Sequence, residues 1–570
     1  MGHLGILTLL PSALLILLIW IFPKPRLILP LAVSVTTLLG VTFIIDICIY
    51  KLFHFHLNGI IFNLAAHGLN AKILGLSLQE SLFIFVALLG LLVGEAIFAG
   101  FLWKKIKVKI QPSRFWLSGI LGVFGFALYF SYFMLISSAN YPINRIMIDA
   151  TRFLPFYAEL SNTLVPVKGG LLYQLERKAE LHCVQANRAK APLNYPLHAM
   201  QYEEKSRHKN VVIIVIDAWR FDMLNSSVTP HIAEFAKKSW VFNQHFSGGN
   251  ATGPGMFSLF YGLPVTYWSA MESEHRAPLL IDEMQKQDYQ IGVFASAGIE
   301  FPPFYKTIFN SIKNLDPKMR PGNNAYERDK NVTKNFMDFM QHYSAQQPFF
   351  TFLFYDVAHS YCGFDNPNEK FQPSIKECSR YELRSSTDPL PYLNRYKNAL
   401  VTVDEEVQKV IAVLREKKLL DNTVVMITGD HGEEFNDNHR GFWGHANNYT
   451  HYQVQTPLII YWPSEKPVVF THKTSHFDIV PTLMKKLFAC KNPASDYSLG
   501  ISLLDKGLRP YLIVGSYMAF GIVESGQITA VSPTGTYEVE KLNGQKSPDG
   551  HVNTLVLQQV FGDLRHFFKA

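Results

Sequence analysis

The first 138 positions are mostly apolar, in runs broken by short polar stretches, and beyond them apolar and polar residues mix in the manner of a water-exposed globular protein. Four runs, at residues 4–22, 27–50, 82–103 and 115–137, approach or exceed the roughly 20 apolar residues a helix needs to cross a bilayer core. The first run has no basic residues before it. The apolar pattern resumes directly after Pro23-Lys-Pro-Arg26, so a spanning helix fits it better than a cleaved leader. Further on, Asn210-Val-Val-Ile-Ile-Val-Ile216 carries six consecutive β-branched residues, the pattern of a strand buried on both faces. Similar runs recur at 349–354, 423–428 and 457–461, with helical periodicity at 279–287 and 396–417 between them. Strands alternating with helices predict a doubly wound, mostly parallel α/β sheet behind an N-terminal transmembrane helix bundle. The domains expected are 1–138 transmembrane, 139–209 linker and 210–570 outer domain.

Charge adds topology. The formal net charge is only +7 over 570 residues, with no basic stripe of the kind a nucleic acid would need. Lys24 and Arg26 separate the first two runs, and Lys104, Lys105, Lys107, Lys109 and Arg114 separate the last two. The positive-inside rule places both loops in the cytoplasm, and the N-terminus, the 51–79 loop and everything after the fourth run outside. An N-terminus that starts outside is unusual, and a further helix upstream is expected from it. In the outer loop, His54 and His56 lie among aromatics and read either as interfacial anchors or as a polar site at the bilayer surface. Arg145, Arg152 and Lys168 in the linker could meet anionic lipid headgroups, or the segment could be a solvated connector. There are five cysteines and no CxxC spacing. Cys362 and Cys378 are close enough in sequence to form a disulfide in an oxidising compartment, although free thiols fit equally well.

In doubly wound sheets ligands bind at the carboxyl ends of strands, so the residues that follow each strand are the ones to inspect. Asp217 directly follows 210–216, a common place for a hard-cation ligand. In Ser247-Gly-Gly-Asn-Ala-Thr-Gly-Pro-Gly255, turn-forming residues lead into an apolar helical stretch and put Thr252 at or just before a helix start. A threonine there is usually an N-cap. Beside a metal it is a ligand and nucleophile instead. Asp430 and His431, in Gly429-Asp-His-Gly432, follow the 423–428 strand, and His445 and His359 sit in loops after other apolar stretches. Oxygen and imidazole donors together suit one divalent ion, Zn²⁺ or Mn²⁺, with Mg²⁺ fitting less well.

In their order along the chain these motifs resemble the alkaline phosphatase/sulfatase superfamily, over roughly 210–504. The resemblance implies that Asp217, Thr252, Asp430 and His431 bind one metal and that Thr252 is the nucleophile. It also implies that His359 and His445 hold the transferred group or protonate the leaving oxygen. Thr252-Gly-Pro-Gly255 departs from the C/S-x-P-x-R motif of true sulfatases, in residue and in arginine, and matches the threonine of phosphoethanolamine and phosphoglycerol transferases.

Almost the whole chain is similar to the YejM/PbgA-like inner-membrane proteins of Gram-negative bacteria. The similarity rests on Phe53-His-Phe-His-Leu-Asn58, Ser247-Gly-Gly-Asn250 and Phe257-Ser-Leu-Phe-Tyr-Gly262. It continues at Asp421-Asn-Thr-Val-Val425, Val454-Gln-Thr-Pro-Leu458 and Pro493-Ala-Ser-Asp-Tyr-Ser498. That family has five spanning helices, of which four are found here. Membership implies binding of lipopolysaccharide or its lipid A part, and of cardiolipin. It implies control of lipopolysaccharide synthesis through a membrane-anchored adaptor, and a multi-pass inner-membrane location with a periplasmic C-terminal domain. Some members have lost their catalytic motifs; this chain keeps Asp430 and His431. Two functions are therefore expected: a sensor of envelope lipid, or a metal-dependent headgroup transferase or phosphoester hydrolase.

Overall fold

The computed structural model describes residues 25–53, 78–109, 192–203 and 209–569, short internal stretches apart, with Leu15 and Gly125 as isolated points. The first and fourth apolar runs otherwise fall outside these residues, as do His54, His56, Arg145, Arg152 and Lys168. The chain forms two compact units, one within 1–178 and one made of nearly all the rest. In the first unit the second and third apolar runs are helices α1 (Pro25–Phe53) and α2 (Leu78–Lys109). Among the described residues one helix is long and apolar enough to cross a membrane, α1 over Leu29–Asp46, and α2 has a shorter apolar stretch at Phe85–Phe101. The two helices meet where the Thr36 hydroxyl donates to the Glu95 carboxylate. A Cβ on Gly40 would lie 3.3 Å from Leu91, so glycine lets the backbones approach there.

The second unit contains the α/β domain. In chain order its elements are β1 (Asn210–Ile216), α3 (Pro230–Ala236), β2 (Trp240–Phe242), β3 (His245–Phe246), α4 (Thr252–Tyr261), α5 (Leu279–Lys286), β4 (Gln290–Ala295), α6 (Ala325–His342), β5 (Phe349–Tyr355), α7 (Leu390–Glu416), β6 (Thr423–Gly429), β7 (Glu434–Phe435), β8 (Trp443–Gly444), β9 (Leu458–Tyr461), β10 (Val468–Phe470), β11 (Thr474–Ser475), α8 (Ile479–Phe488), β12 (Tyr511–Gly515), β13 (Phe520–Glu524), β14 (Ile528–Val531), β15 (Tyr537–Glu540) and α9 (Thr554–Arg565). The main sheet has the order β10-β2-β9-β6-β1-β5-β4. Its centre is parallel, with β1 between β5 and β6.

The alternation of side chains along β1 explains its continuous apolar run. Val211, Ile213 and Val215 enter a core with residues of α4, α5 and α8, and Val212, Ile214 and Ile216 enter another with residues of α3, α6 and α7. A strand covered on both faces has no polar side to show. The same logic hides strand direction, and here the sequence reading needs correction. The run at 457–461 resembles the parallel strands, but β9 pairs antiparallel with both β6 and β2, which makes the sheet mixed. Burial on both faces produces one residue pattern whichever way a strand runs.

Residues 192–203, read from sequence as linker, pack on the domain. Leu193 and Tyr195 are buried, and the Asn194 amide donates to the Phe567 carbonyl at 2.8 Å. Between α8 and α9 the chain forms a four-stranded antiparallel sheet, β12 to β15. Its first strand is stitched to the segment before α4: the Gly515 amide donates to Gly248 at 2.8 Å and the Asn250 amide donates to Gly515 at 3.0 Å.

Candidate metal centre

The register of the three central strands builds the site. Ile216 pairs with Tyr355 on one side and Gly429 on the other. The next residue on each strand is an aspartate: Asp356, Asp217 and Asp430 stand side by side at the carboxyl edge. All three are buried. Asp430 Oδ1 accepts from the amides of Ala218 (3.0 Å) and His431 (2.9 Å), which aims its other oxygen outward. Ala218 reaches that amide with φ +60°, a left-handed conformation that alanine seldom adopts, held by the Tyr396 hydroxyl donating 2.7 Å to its carbonyl.

Thr252 opens α4, and the residue in the N-cap position is Ala251, in extended conformation. The Thr252 hydroxyl therefore makes no cap. It lies 3.2 Å from His431 Nε2. Glycines bring α4 this close: a Cβ on Gly255 would fall 2.2 Å from the Asp430 carbonyl oxygen, and one on Gly249 would fall 2.4 Å from the Gly255 amide nitrogen. Ser247 completes the clamp, its hydroxyl donating to that Asp430 carbonyl at 2.5 Å.

Each histidine is oriented by a hydrogen bond on Nδ1. His431 Nδ1 donates to the Gly432 carbonyl at 2.8 Å, which leaves the Nε2 lone pair pointing into the site. Nε2 lies 3.5 Å from Asp217 Oδ1 and 3.5 Å from Asp430 Oδ2. His445 Nδ1 donates to Glu433 at 2.7 Å. Burial, then the neighbouring His431, lowers the His445 pKa to about 3 against the pull of Glu433, so the ring is neutral in ordinary buffers. His359 Nδ1 is 3.3 Å from Asp356 Oδ1, and the other Asp356 oxygen accepts from Arg328 at 2.6 Å and Ser360 at 3.1 Å. Burial alone would raise the Asp356 pKa; His359 and Arg328 outweigh it and hold it below the usual carboxylate range. Asp217 has no such relief. Burial, then the charges of Asp430, Asp356 and Glu433, pushes its pKa well up.

Asp217 Oδ1 and Asp430 Oδ2 are buried without a hydrogen-bond partner. Unpartnered buried carboxylate oxygens are costly. Two of them facing an imidazole lone pair make a donor set that a divalent cation satisfies, with the three ligating atoms within 4.8 Å of one another. The residues thus fit a metal, with Asp217, Asp430 and His431 as holders and Thr252 beside them. Donor atoms of Asp217, Asp356 and His359, and of His431, Glu433 and His445, are equally close. A bound cation would polarise a phosphoryl oxygen and lower the pKa of the threonine hydroxyl.

The structure brings together Asp217, Thr252, Asp430, His431, His359 and His445, all named from sequence. Sequence reading missed Asp356 and Glu433. Asp356 carried the same signal as Asp217, an aspartate directly after a buried strand. Glu433 could have been found as the carboxylate beside a ligand-type histidine.

Residues 209–487 match the Sulfatase family and residues 1–202 match a domain of unknown function, DUF3413. Inner membrane protein YejM of Salmonella typhi is 24% identical over 526 residues, covering 92% of this chain and 82% of its own. Lipoteichoic acid synthase-like YvgJ of Bacillus subtilis (strain 168) is 23% identical over 342 residues, covering 55% of this chain and 53% of its own. A solved structure of an alkaline phosphatase superfamily protein from Vibrio parahaemolyticus is 15% identical, with a TM-score of 0.49, and covers 69% of this chain and 98% of its own. Residues 209–487 form a sulfatase-family domain, and the chain as a whole is a relative of the YejM inner membrane proteins.

Proposed function

We propose that this protein works at the periplasmic face of a bacterial inner membrane as a multi-pass protein. Its sulfatase-type domain engages the phosphorylated headgroup of lipopolysaccharide or lipid A, with cardiolipin as a further ligand. Occupancy regulates outer-membrane lipid homeostasis through a membrane-anchored adaptor of lipopolysaccharide synthesis. The observation that carries the lipid-headgroup part is the orphaned oxygen pair of Asp217 and Asp430 beside Thr252 at the start of α4. A cation there, next to a helix N-terminus, is a seat for a phosphate group. Similarity to YejM across 92% of the chain supports the inner-membrane part. Arg145, Arg152 and Lys168 are the proposed contacts to anionic headgroups in the linker.

The test is lipid A binding and metal content of the detergent-purified full chain. The expected result is one divalent ion per chain and lipid A binding that Thr252→Ala preserves, with lipopolysaccharide levels in cells also preserved. A metal-free protein that ignores lipid A would refute the proposal.

The 3.2 Å approach of Thr252 to His431 favours a second reading, turnover. Thr252 Oγ would bond to phosphorus as the ester oxygen of the headgroup leaves, the threonine proton passing to a neighbouring base such as the free Nε2 of His445 and the leaving oxygen taking one from His359. On that reading Thr252→Ala abolishes headgroup transfer or hydrolysis while lipid binding persists.

A further inference from the structure

The main sheet ends on β10, and this edge is apolar where it meets solvent. Val468 and Val469 are 42% and 59% exposed, and Leu508, in the loop before β12, is fully exposed. That loop lies beside the strand. The His472 ring donates from Nε2 to the Leu503 carbonyl at 2.9 Å, and a Cβ on Gly507 would lie 3.4 Å from Ile501, itself exposed. The Ile501 amide and the Arg509 guanidinium both donate to Asp478 Oδ1, which fixes the loop from beneath. Lysines are set among these side chains. Lys466 precedes the strand, Lys473 follows it, and Lys506 stands two residues before Leu508. None of the three makes an ion pair among the described residues. Of the acidic residues here, Glu465 pairs with Lys486 at 2.9 Å and Asp478 with Arg509, which leaves Asp505 against three lysines.

We propose that β10 and the 501–508 loop form a membrane-contact edge that seats the domain on anionic phospholipid. Apolar tips with basic residues between them suit such a surface: the valines and the leucine pass below the headgroups, and the ammonium groups stay among the phosphates. An exposed edge strand could instead pair with a strand of another chain. Pro467 directly before β10, and the lysines on either side of it, are devices that prevent such pairing. A helix of the same chain is long and apolar enough to cross a membrane, which tethers the domain beside a bilayer. The edge also lies on the right side of the sheet. β10 is parallel to β2, β2 antiparallel to β9 and β9 antiparallel to β6, so β10 and β6 end at the same sheet edge. Val469 pairs with Val241, Val241 with Ile459 and Ile459 with Ile427, which puts it level with a residue three before Asp430. The lateral separation is three strand spacings, about 14 Å. A lipid against β10 would therefore present its headgroup on the side where Asp217, Asp430 and Thr252 stand. The contact stands on this surface alone; its use for the site rests on the headgroup reading.

The test is photocrosslinking of the full chain in nanodiscs whose phosphatidylglycerol carries an acyl-chain diazirine, with adducts mapped by mass spectrometry. Labelling of α1 is the internal control. Adducts are expected on 464–473 and 501–509, at least about fivefold more abundant than in discs where phosphatidylcholine carries the diazirine. The double variant Val469→Asp, Leu508→Asp should lose them and keep the labelling of α1, and its unfolding temperature shows that it folds. Adducts confined to α1, equal yields from the two lipids, or adducts that survive the double variant overturn the proposal. Two chains per disc with no lipid adducts at β10 would overturn it too, and give the edge to a second copy. Lipid A binding and metal content of the same preparation separate the two readings. If the edge is labelled but neither lipid A nor metal is bound, the contact stands and the headgroup reading falls; if lipid A binds and the edge stays unlabelled, the reverse holds.

Discussion

The order of stability of wild type and Asp430→Asn should reverse between the metal-free and the metal-loaded protein. Asparagine is isosteric, and its Oδ1 keeps the amide bonds from Ala218 and His431 at 3.0 and 2.9 Å, so the strand end and loop are retained. What changes is the outward atom, from an unpartnered carboxylate oxygen to a neutral N–H donor facing His431 Nε2. The ligating atoms of Asp217, Asp430 and His431 lie within 4.8 Å of each other. Two like charges at that separation repel by about 3 kcal/mol at an effective dielectric constant of about 20. Asp217 sheds part of this by holding a proton, so the variant should be more stable than wild type by about 1–2 kcal/mol in EDTA. Metal acts the other way. An ion at about a hundred times its dissociation constant stabilises wild type by about 2.7 kcal/mol, and a site stripped of one charged ligand gains far less. Urea unfolding of the outer domain, followed by tryptophan fluorescence in EDTA and in Mn²⁺, reads both differences. If Asp430→Asn is the less stable protein in EDTA, or gains as much from Mn²⁺ as wild type, Asp217 and Asp430 do not form a coupled metal pair.

Three further outcomes are expected. Gly255→Ala forces a Cβ to within 2.2 Å of the Asp430 carbonyl, so α4 must retreat; it should lose about 1–3 kcal/mol of stability in the same unfolding assay and bind Mn²⁺ at least tenfold more weakly. His476 is buried, hydrogen-bonds the Gly255 carbonyl at 3.2 Å, and burial lowers its pKa to about 4. Its stabilising contribution is therefore intact above about pH 6.5 and lost as pH falls towards 4, so wild type should lose about 2 kcal/mol more than His476→Asn between pH 7.5 and pH 5.0, read as a difference in urea midpoints. Cys362 and Cys378 are joined by a disulfide across 16 positions. The double serine variant should lose about 3 kcal/mol if the bridge closes a flexible loop of that length, with mass spectrometry of the unreduced protein confirming the bond.

The parts of the fold legible in sequence are those with residue patterns that have a single physical cause. A run such as 211–216 has to be a strand covered on both faces, and a polar residue at its end has to emerge at the sheet edge. That reasoning reaches Asp217 and Asp430 directly. The same rule should have reached Asp356 after β5. Asp356 stands three residues before His359 and orients its ring, so the pair is one feature of the sheet edge. The direction of β9 was out of reach, because pairing is decided by the partner strand. So was the packing of 192–203, where Leu193 and Tyr195 read as two apolar residues in a polar stretch until Phe567 and its neighbours supply the surface they bury against.

Thr252 and Tyr517 show why site residues differ in legibility. Thr252 is placed by neighbours in sequence: the glycines at 249 and 255 let its turn approach Asp430, and no bulkier residue could stand at either position. A local pattern of small residues therefore carries the information. Tyr517 is placed by a contact between elements far apart along the chain, its ring edge 3.5 Å from where a Cβ on Gly253 would lie, and nothing in Ser516-Tyr517 marks it as different from any tyrosine in a turn. Its meaning depends on where the Gly515 backbone is pinned, which is beside Gly248 and Asn250 in the segment that leads into Thr252. The C-terminal sheet is thus fastened to the very loop that positions the threonine. A displacement of β12 would move Tyr517 and the start of α4 together, because two backbone hydrogen bonds join Gly515 to Gly248 and Asn250.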